Sequence, residues 1–111
     1  MFLAYCDVFR DYTDPIKVTE YYFENLRNGE WFLTYRIYNK DSFDTNKVFR
    51  NFIDYYFPLI EEIKIDSIEM KDNLAFVQAQ IIYNDASIVT SVVELQKEKQ
   101  IWRIHNVKYK I

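Results

Sequence analysis

The period of the apolar residues changes once, near residue 60, and that change limits the fold more than any motif does. Before it, apolar residues recur every three or four positions. Val18, Tyr22 and Leu26 lie at i, i+4 and i+8, with Thr19 and Phe23 beside them. Such spacing puts one apolar stripe on a helix. After the change, apolar residues recur every second position, as in Ala75, Val77, Ala79, Ile81 and Tyr83. A period of two belongs to a strand with one buried face. Helical segments followed by strand segments predict an α+β domain whose helices and strands are segregated along the chain.

The helical half carries start and stop signals. Asp14-Pro15 predicts a helix start, because an Asp side chain accepts from free amide groups and Pro tolerates the first helical position. Asn28-Gly29 predicts its end, with Gly supplying the left-handed residue beyond the last turn. A second, short helix is expected from Glu30 to about Tyr38, where Trp31, Tyr35 and Tyr38 fall at i, i+4 and i+7. The run Asn39-Lys40-Asp41-Ser42 reads as a turn. A third helix, capped by Asp44 or Thr45, carries Val48, Phe49, Phe52, Ile53 and Tyr56 and stops before Pro58. Residues 1–13 fit neither period.

The strand half divides into four. Ile63 and Ile65 alternate, as do Ile68 and Met70, but the step between the pairs is odd. One extra residue accounts for it, so a bulge is expected at Asp66-Ser67. Asn84-Asp85-Ala86 reads as a hairpin turn. Beyond it, Val89, Ser91, Val93 and Leu95 oppose Ile88, Thr90, Val92 and Glu94. Lys97-Glu98-Lys99-Gln100 makes the next turn, and Ile101–Ile111 forms the last strand. In that strand Trp102 and Ile104 share a face, while Val107, Tyr109 and Ile111 fall on the face of His105. Either a bulge lies between Ile104 and Val107, or the strand is apolar on both sides. The whole chain, residues 1–111, reads as one domain.

Composition removes several function classes. A single Gly excludes glycine-rich phosphate loops and dinucleotide fingerprints. A net charge of −3 lacks the basic footprint of a nucleic-acid binder. One Cys and one His leave no disulfide within the chain and no ordinary zinc site, so no metal and no cofactor is expected. No stretch reaches the roughly 20 apolar residues of a membrane helix. The opening residues lack a basic, then apolar, leader. Leu3-Ala4-Tyr5-Cys6 is similar to a lipoprotein box but departs from it at Tyr5. A cytoplasmic location is therefore expected.

The helix end Glu24–Trp31 ("ENLRNGEW") and the close Val92–Ile104 ("VVELQKEKQIWRI") resemble the nuclear transport factor 2-like superfamily. The likeness covers about residues 14 to 111 and rests on element order, the Gly29-Glu30 step and the Trp102-Arg103-Ile104 strand. It implies three N-terminal helices packed in the concave face of a curved four-strand antiparallel sheet, a cone with a pocket at its open end. The outer sheet face of that family often forms a dimer. Its members include isomerases and dehydratases as well as assembly and immunity proteins, so fold does not give function.

Candidate sites follow from these faces. An isomerase of this type uses a carboxylate base with tyrosine donors, which points to Asp66 near the bulge and Tyr22 on the first helix. A dehydratase pairs a His with a carboxylate, which points to His105. Each has a simpler reading, Tyr22 as core and Asp66 as a solvated bulge residue. The imidazole of His105 is expected to face water. The inner face of the second strand, Ala75 to Ile81, offers no acid, amide or hydroxyl before Tyr83, which argues against a catalytic cone. Tyr22, Trp31, Tyr35, Tyr38 and Tyr56 are the candidate lining of a small, apolar ligand pocket. Phe76, Gln78, Gln80, Ile82, Ile88, Thr90 and Val92 mix apolar and amide groups in the manner of a protein interface. The expected function is a non-enzymatic binding or assembly module, a homodimer with a small apolar ligand or a protein partner. The alternative is an isomerase- or dehydratase-like enzyme using a carboxylate or His.

Overall fold

The computed structural model describes residues 10–30, 34, 37, 38 and 60–110. One helix, α1 (Pro15–Asn28), precedes four strands: β1 (Ile60–Lys71), β2 (Leu74–Tyr83), β3 (Ile88–Glu98) and β4 (Ile101–Lys110). The strands form one antiparallel meander in the order β1-β2-β3-β4.

The ends of α1 follow its caps. Asp14 stays extended, and its carboxylate accepts from the Ile16 amide at 2.9 Å. Gly29 takes a left-handed φ of 68°, which a residue with a Cβ adopts only at a cost. That turn lets the Glu30 amide reach the Asn25 carbonyl at 2.8 Å, satisfying an end group of the helix. The stripe Val18, Thr19, Tyr22, Phe23 and Leu26 is wholly buried.

The expected layer of three helices is corrected. Among the described residues one helix of 14 residues stands against strands of 12, 10, 11 and 10 residues. The third expected helix lies outside the described residues, as do Trp31, Tyr35 and Tyr56. Of the second, Glu30, Thr34, Ile37 and Tyr38 are described: Thr34 and Ile37 are helical, and Tyr38, whose amide donates to the Thr34 carbonyl at 3.2 Å, stands at the end of the expected span. It makes a parallel bridge to Ile104 of β4.

The sheet buries one face. Ala75, Val77, Ala79 and Ile81 of β2, Ser91, Val93 and Leu95 of β3, and Trp102, Ile104 and Val107 of β4 form the core with the α1 stripe. Two bulges keep this face continuous. Asp66 is the extra residue between Ile65 and Ser67, so Ile63, Ile65, Ile68 and Met70 stay on one side. His105 is the extra residue in β4: Ile104 faces Leu95, and Asn106 faces Glu94. It returns Val107 and Tyr109 to the inner face. Without a bulge, every residue after it would point the other way.

The two sheet edges differ. The β4 edge is closed at two points, by the Trp102 amide donating to the Tyr12 carbonyl at 2.8 Å and by the Tyr38 bridge. Along β1, charges and two register breaks take that part, devices that discourage another strand from pairing. Arg27 donates to the Glu61 carbonyl at 2.9 Å, tying the end of α1 to the start of β1. Two-residue turns use positive φ, at Asp72 (54°) and at Lys99 and Gln100 (50° and 73°). The turn at 72–73 has no glycine and no apolar break, and the sequence reading passed over it.

Candidate functional site

The inner face holds a group of phenols. Tyr22 comes from α1, Tyr83 from the end of β2, Tyr109 from β4 after the His105 bulge, and Tyr38 from the segment bridged to Ile104. The Tyr22 and Tyr109 hydroxyls lie 3.2 Å apart. The Tyr22 ring meets Phe23 edge-on at 5.1 Å and Tyr38 edge-on at 6.4 Å between centroids. Tyr38 also shares a side-chain hydrogen bond with Tyr22. Burial pushes the Tyr38 phenol well above its usual range, and the neighbouring Tyr22 adds to the shift. Burial does the same to Tyr109, reinforced by Tyr22, Tyr38 and Tyr83. The hydroxyl end of Tyr109 is deep, though the residue keeps some exposure. A cluster of this kind stays neutral and offers hydrogen bonds without charge.

Next to it lies a buried hydroxyl. Ser91 stands between Ala79 on β2 and Tyr109 on β4, on the same inner row. It is 0% exposed, and its Oγ has no hydrogen-bond partner. Thr34 is equally buried, and its Oγ1 also has none.

The expected acid and base sit elsewhere. Asp66 takes the simpler of its two readings, a solvated bulge residue: it is exposed, with its carboxylate 3.4 Å from the Gln78 amide on the outer side. His105 occupies the other bulge and is also exposed. A bulged residue is released from the alternation of its strand, which is why neither is held toward the core. Of the expected ligand-lining residues, Tyr22 and Tyr38 are brought together, both packed into the core. Sequence reasoning missed Tyr109, whose face depends on where the β4 bulge falls. It placed Ser91 on the correct face without seeing that its hydroxyl lacks a partner.

The outer face is different in kind. Phe76, Gln78, Gln80, Ile82, Thr90 and Val92 are half-buried, and Ile88 is 56% exposed. No described element packs across it. A shallow depression of about 330 Å³ is lined by Ser67, Glu69, Phe76, Gln78 and Val92. Glu94, an acid on the central strand β3, pairs with Lys108 of β4 at 2.9 Å.

A second groove, about 450 Å³, runs between α1 and β1 and is lined by Glu20, Tyr21, Glu24, Arg27, Glu61, Glu62 and Ile63. Beyond Tyr21, Arg10 packs over the ring at 4.9 Å and donates to Asn25 Oδ1 at 2.8 Å, fastening the segment before α1 to the helix. Among the described residues no cluster of three or more His, Cys, Asp or Glu is placed to hold a metal ion. No helix among them is long and apolar enough to cross a membrane.

Comparisons with family models, curated proteins and solved structures give no match to this chain.

Proposed function

We propose that this protein is a non-enzymatic binding or assembly module that pairs with a second copy of itself through the outer sheet face. The observation that supports this most is the composition of that face. Apolar side chains of the central strands, Phe76, Ile82, Ile88 and Val92, lie at the surface with uncharged amides and hydroxyls between them. A contiguous patch of this kind marks an interaction site more often than chance surface. A two-fold interface lays one patch on its own copy, so a charged centre would meet like charge. Here the one acid at the centre is already neutralised by Lys108.

The same reading gives the inner face a small ligand, held between α1 and the sheet. Its polar groups are phenols and hydroxyls, and the two candidate acid-base residues, Asp66 and His105, lie exposed on bulges. General acid-base work needs a titrating group within reach of the substrate, and neither is aimed into the inner face.

Sedimentation velocity tests the pairing. The wild-type chain is expected to sediment as a dimer at micromolar concentration. Ile82→Glu is expected to give a folded monomer with an unchanged circular dichroism spectrum. A wild-type monomer at that concentration, or a dimer that survives Ile82→Glu, overturns the proposal.

A further inference from the structure

The edge strand β1 is long and uncovered. Of its 12 residues Ile60 alone is buried, and among the described residues no strand pairs with its outer edge. Apolar side chains lie along it in the open: Ile68 is 36% exposed and Met70 56%. Such an edge offers a row of backbone donors and acceptors to another strand.

The sequence of β1 selects which strand. From Glu62 to Lys71 it is complementary to its own reverse. Laid antiparallel on a second copy about the Asp66-Ser67 bulge, Glu62 meets Lys71, Ile63 meets Met70, Lys64 meets Glu69, Ile65 meets Ile68 and Asp66 meets Ser67. Every charge except that of Asp66 has an opposite charge across from it, and every apolar residue has an apolar one. The bulge makes the faces agree. Ile63 and Ile65 before it share the inner side with Ile68 and Met70 after it, while Glu62, Lys64, Glu69 and Lys71 share the outer side. An unbulged strand in this register would set inner residues against outer ones. Slipping the pairing by two residues sets Glu62 against Glu69 in one direction and Lys64 against Lys71 in the other. Like charges directly opposed are destabilising. The charges that keep other strands off this edge therefore accept its own copy, in one register.

We infer that β1 pairs with β1 of a second copy about a two-fold axis at Asp66-Ser67, joining two four-strand sheets into one continuous sheet. This interface is separate from the outer-face pairing proposed above, since its axis runs through the sheet and not between two sheets. The contact is one strand deep, which places it among the small, weak interfaces and at concentrations far above micromolar.

Sedimentation equilibrium of Ile82→Glu, which removes the outer-face pairing, isolates the edge. This parent chain is expected to be monomeric at micromolar concentration and to form dimers toward about 1 mM. Lys64→Glu or Glu69→Lys, added to it one at a time, is expected to weaken that association about tenfold or more, since each opposes like charges at two symmetric places. Both residues are exposed and lie opposite uncharged partners on β2, Gln80 and Phe76, so either reversal leaves the fold intact. Mixing the two reversed chains in equal amounts restores opposite charge at both places, and association is expected to return to within about threefold of the parent. A parent chain that stays monomeric at the highest concentration overturns the edge pairing. Association unchanged by either reversal, or not recovered on mixing, overturns it as well. The outer-face pairing stands or falls apart from this, on the wild-type chain at micromolar concentration.

Discussion

Strand β2 carries large or branched apolar side chains on both faces, and the two faces have opposite fates. Ala75, Val77, Ala79 and Ile81 are sealed beneath α1, while Phe76 and Ile82, one residue away from them, remain in contact with water. The inner set is made of small and branched side chains that pack closely under a helix. The outer set places the amides of Gln78 and Gln80 between Phe76 and Ile82. α1 and the Ile37-Tyr38 segment cover the inner face, while among the described residues no element packs across the outer one. The outer face keeps apolar groups at the surface, with Glu94 among them paired to Lys108.

Matched substitutions at adjacent positions break the comparison most sharply. Val77→Asp puts an unpaired carboxylate into the core, and the chain is expected to lose its folded state, read as collapse of the cooperative urea transition. Gln78→Asp, one residue along and facing outward, is expected to change stability by less than about 1 kcal/mol. Equal losses at the two positions would mean the outer face is covered as well.

Alkaline titration reports on the inner face alone. Tyr38 and Tyr109 have folded-state values raised above the ordinary 10.0, chiefly by burial. A group whose value is raised in the fold contributes stability that is complete below its unfolded value and falls as pH climbs beyond it. Stability is therefore expected to hold up to about pH 10 and to drop above it. The tyrosinate absorbance of these two residues should then appear together with unfolding and not before it. Tyr38→Phe combined with Tyr109→Phe should flatten the alkaline loss. Smooth ionisation of every tyrosine near its ordinary value, with the fold intact, would show that the phenol cluster is open to solvent.

The smallest effect belongs to the outer face. Lys108 is mostly exposed, and its pair with Glu94 is worth about 0.2–1 kcal/mol, less at high salt. Lys108→Ala is expected to lower the urea midpoint only slightly, and that change should vanish in concentrated salt.

Much of this architecture is legible along the chain because its causes are local. Asp14, Pro15 and Gly29 act on backbone groups within one turn, so the bounds of α1 can be read from them. The odd step between Ile65 and Ile68 reveals the first bulge, since an extra residue is the one way to keep Ile68 and Met70 in line with Ile63. The outer-face residues follow from the same alternation. Tyr38 shows the limit. Thr34 and Ile37 are helical, as the spacing suits, but Tyr38 also bridges to Ile104, 66 positions later, and no local pattern announces that bridge.

The sequence by itself determined α1, the four-strand meander and the side of each residue in β2 and β3, because periodicity and caps are properties of neighbouring residues. Tertiary structure alone decided the rest. It took His105 as the bulged residue of β4, and so brought Tyr109 inward to meet Tyr22. It also left Ser91 without a partner, since hydrogen bonding depends on which groups the fold brings within about 3 Å of each other.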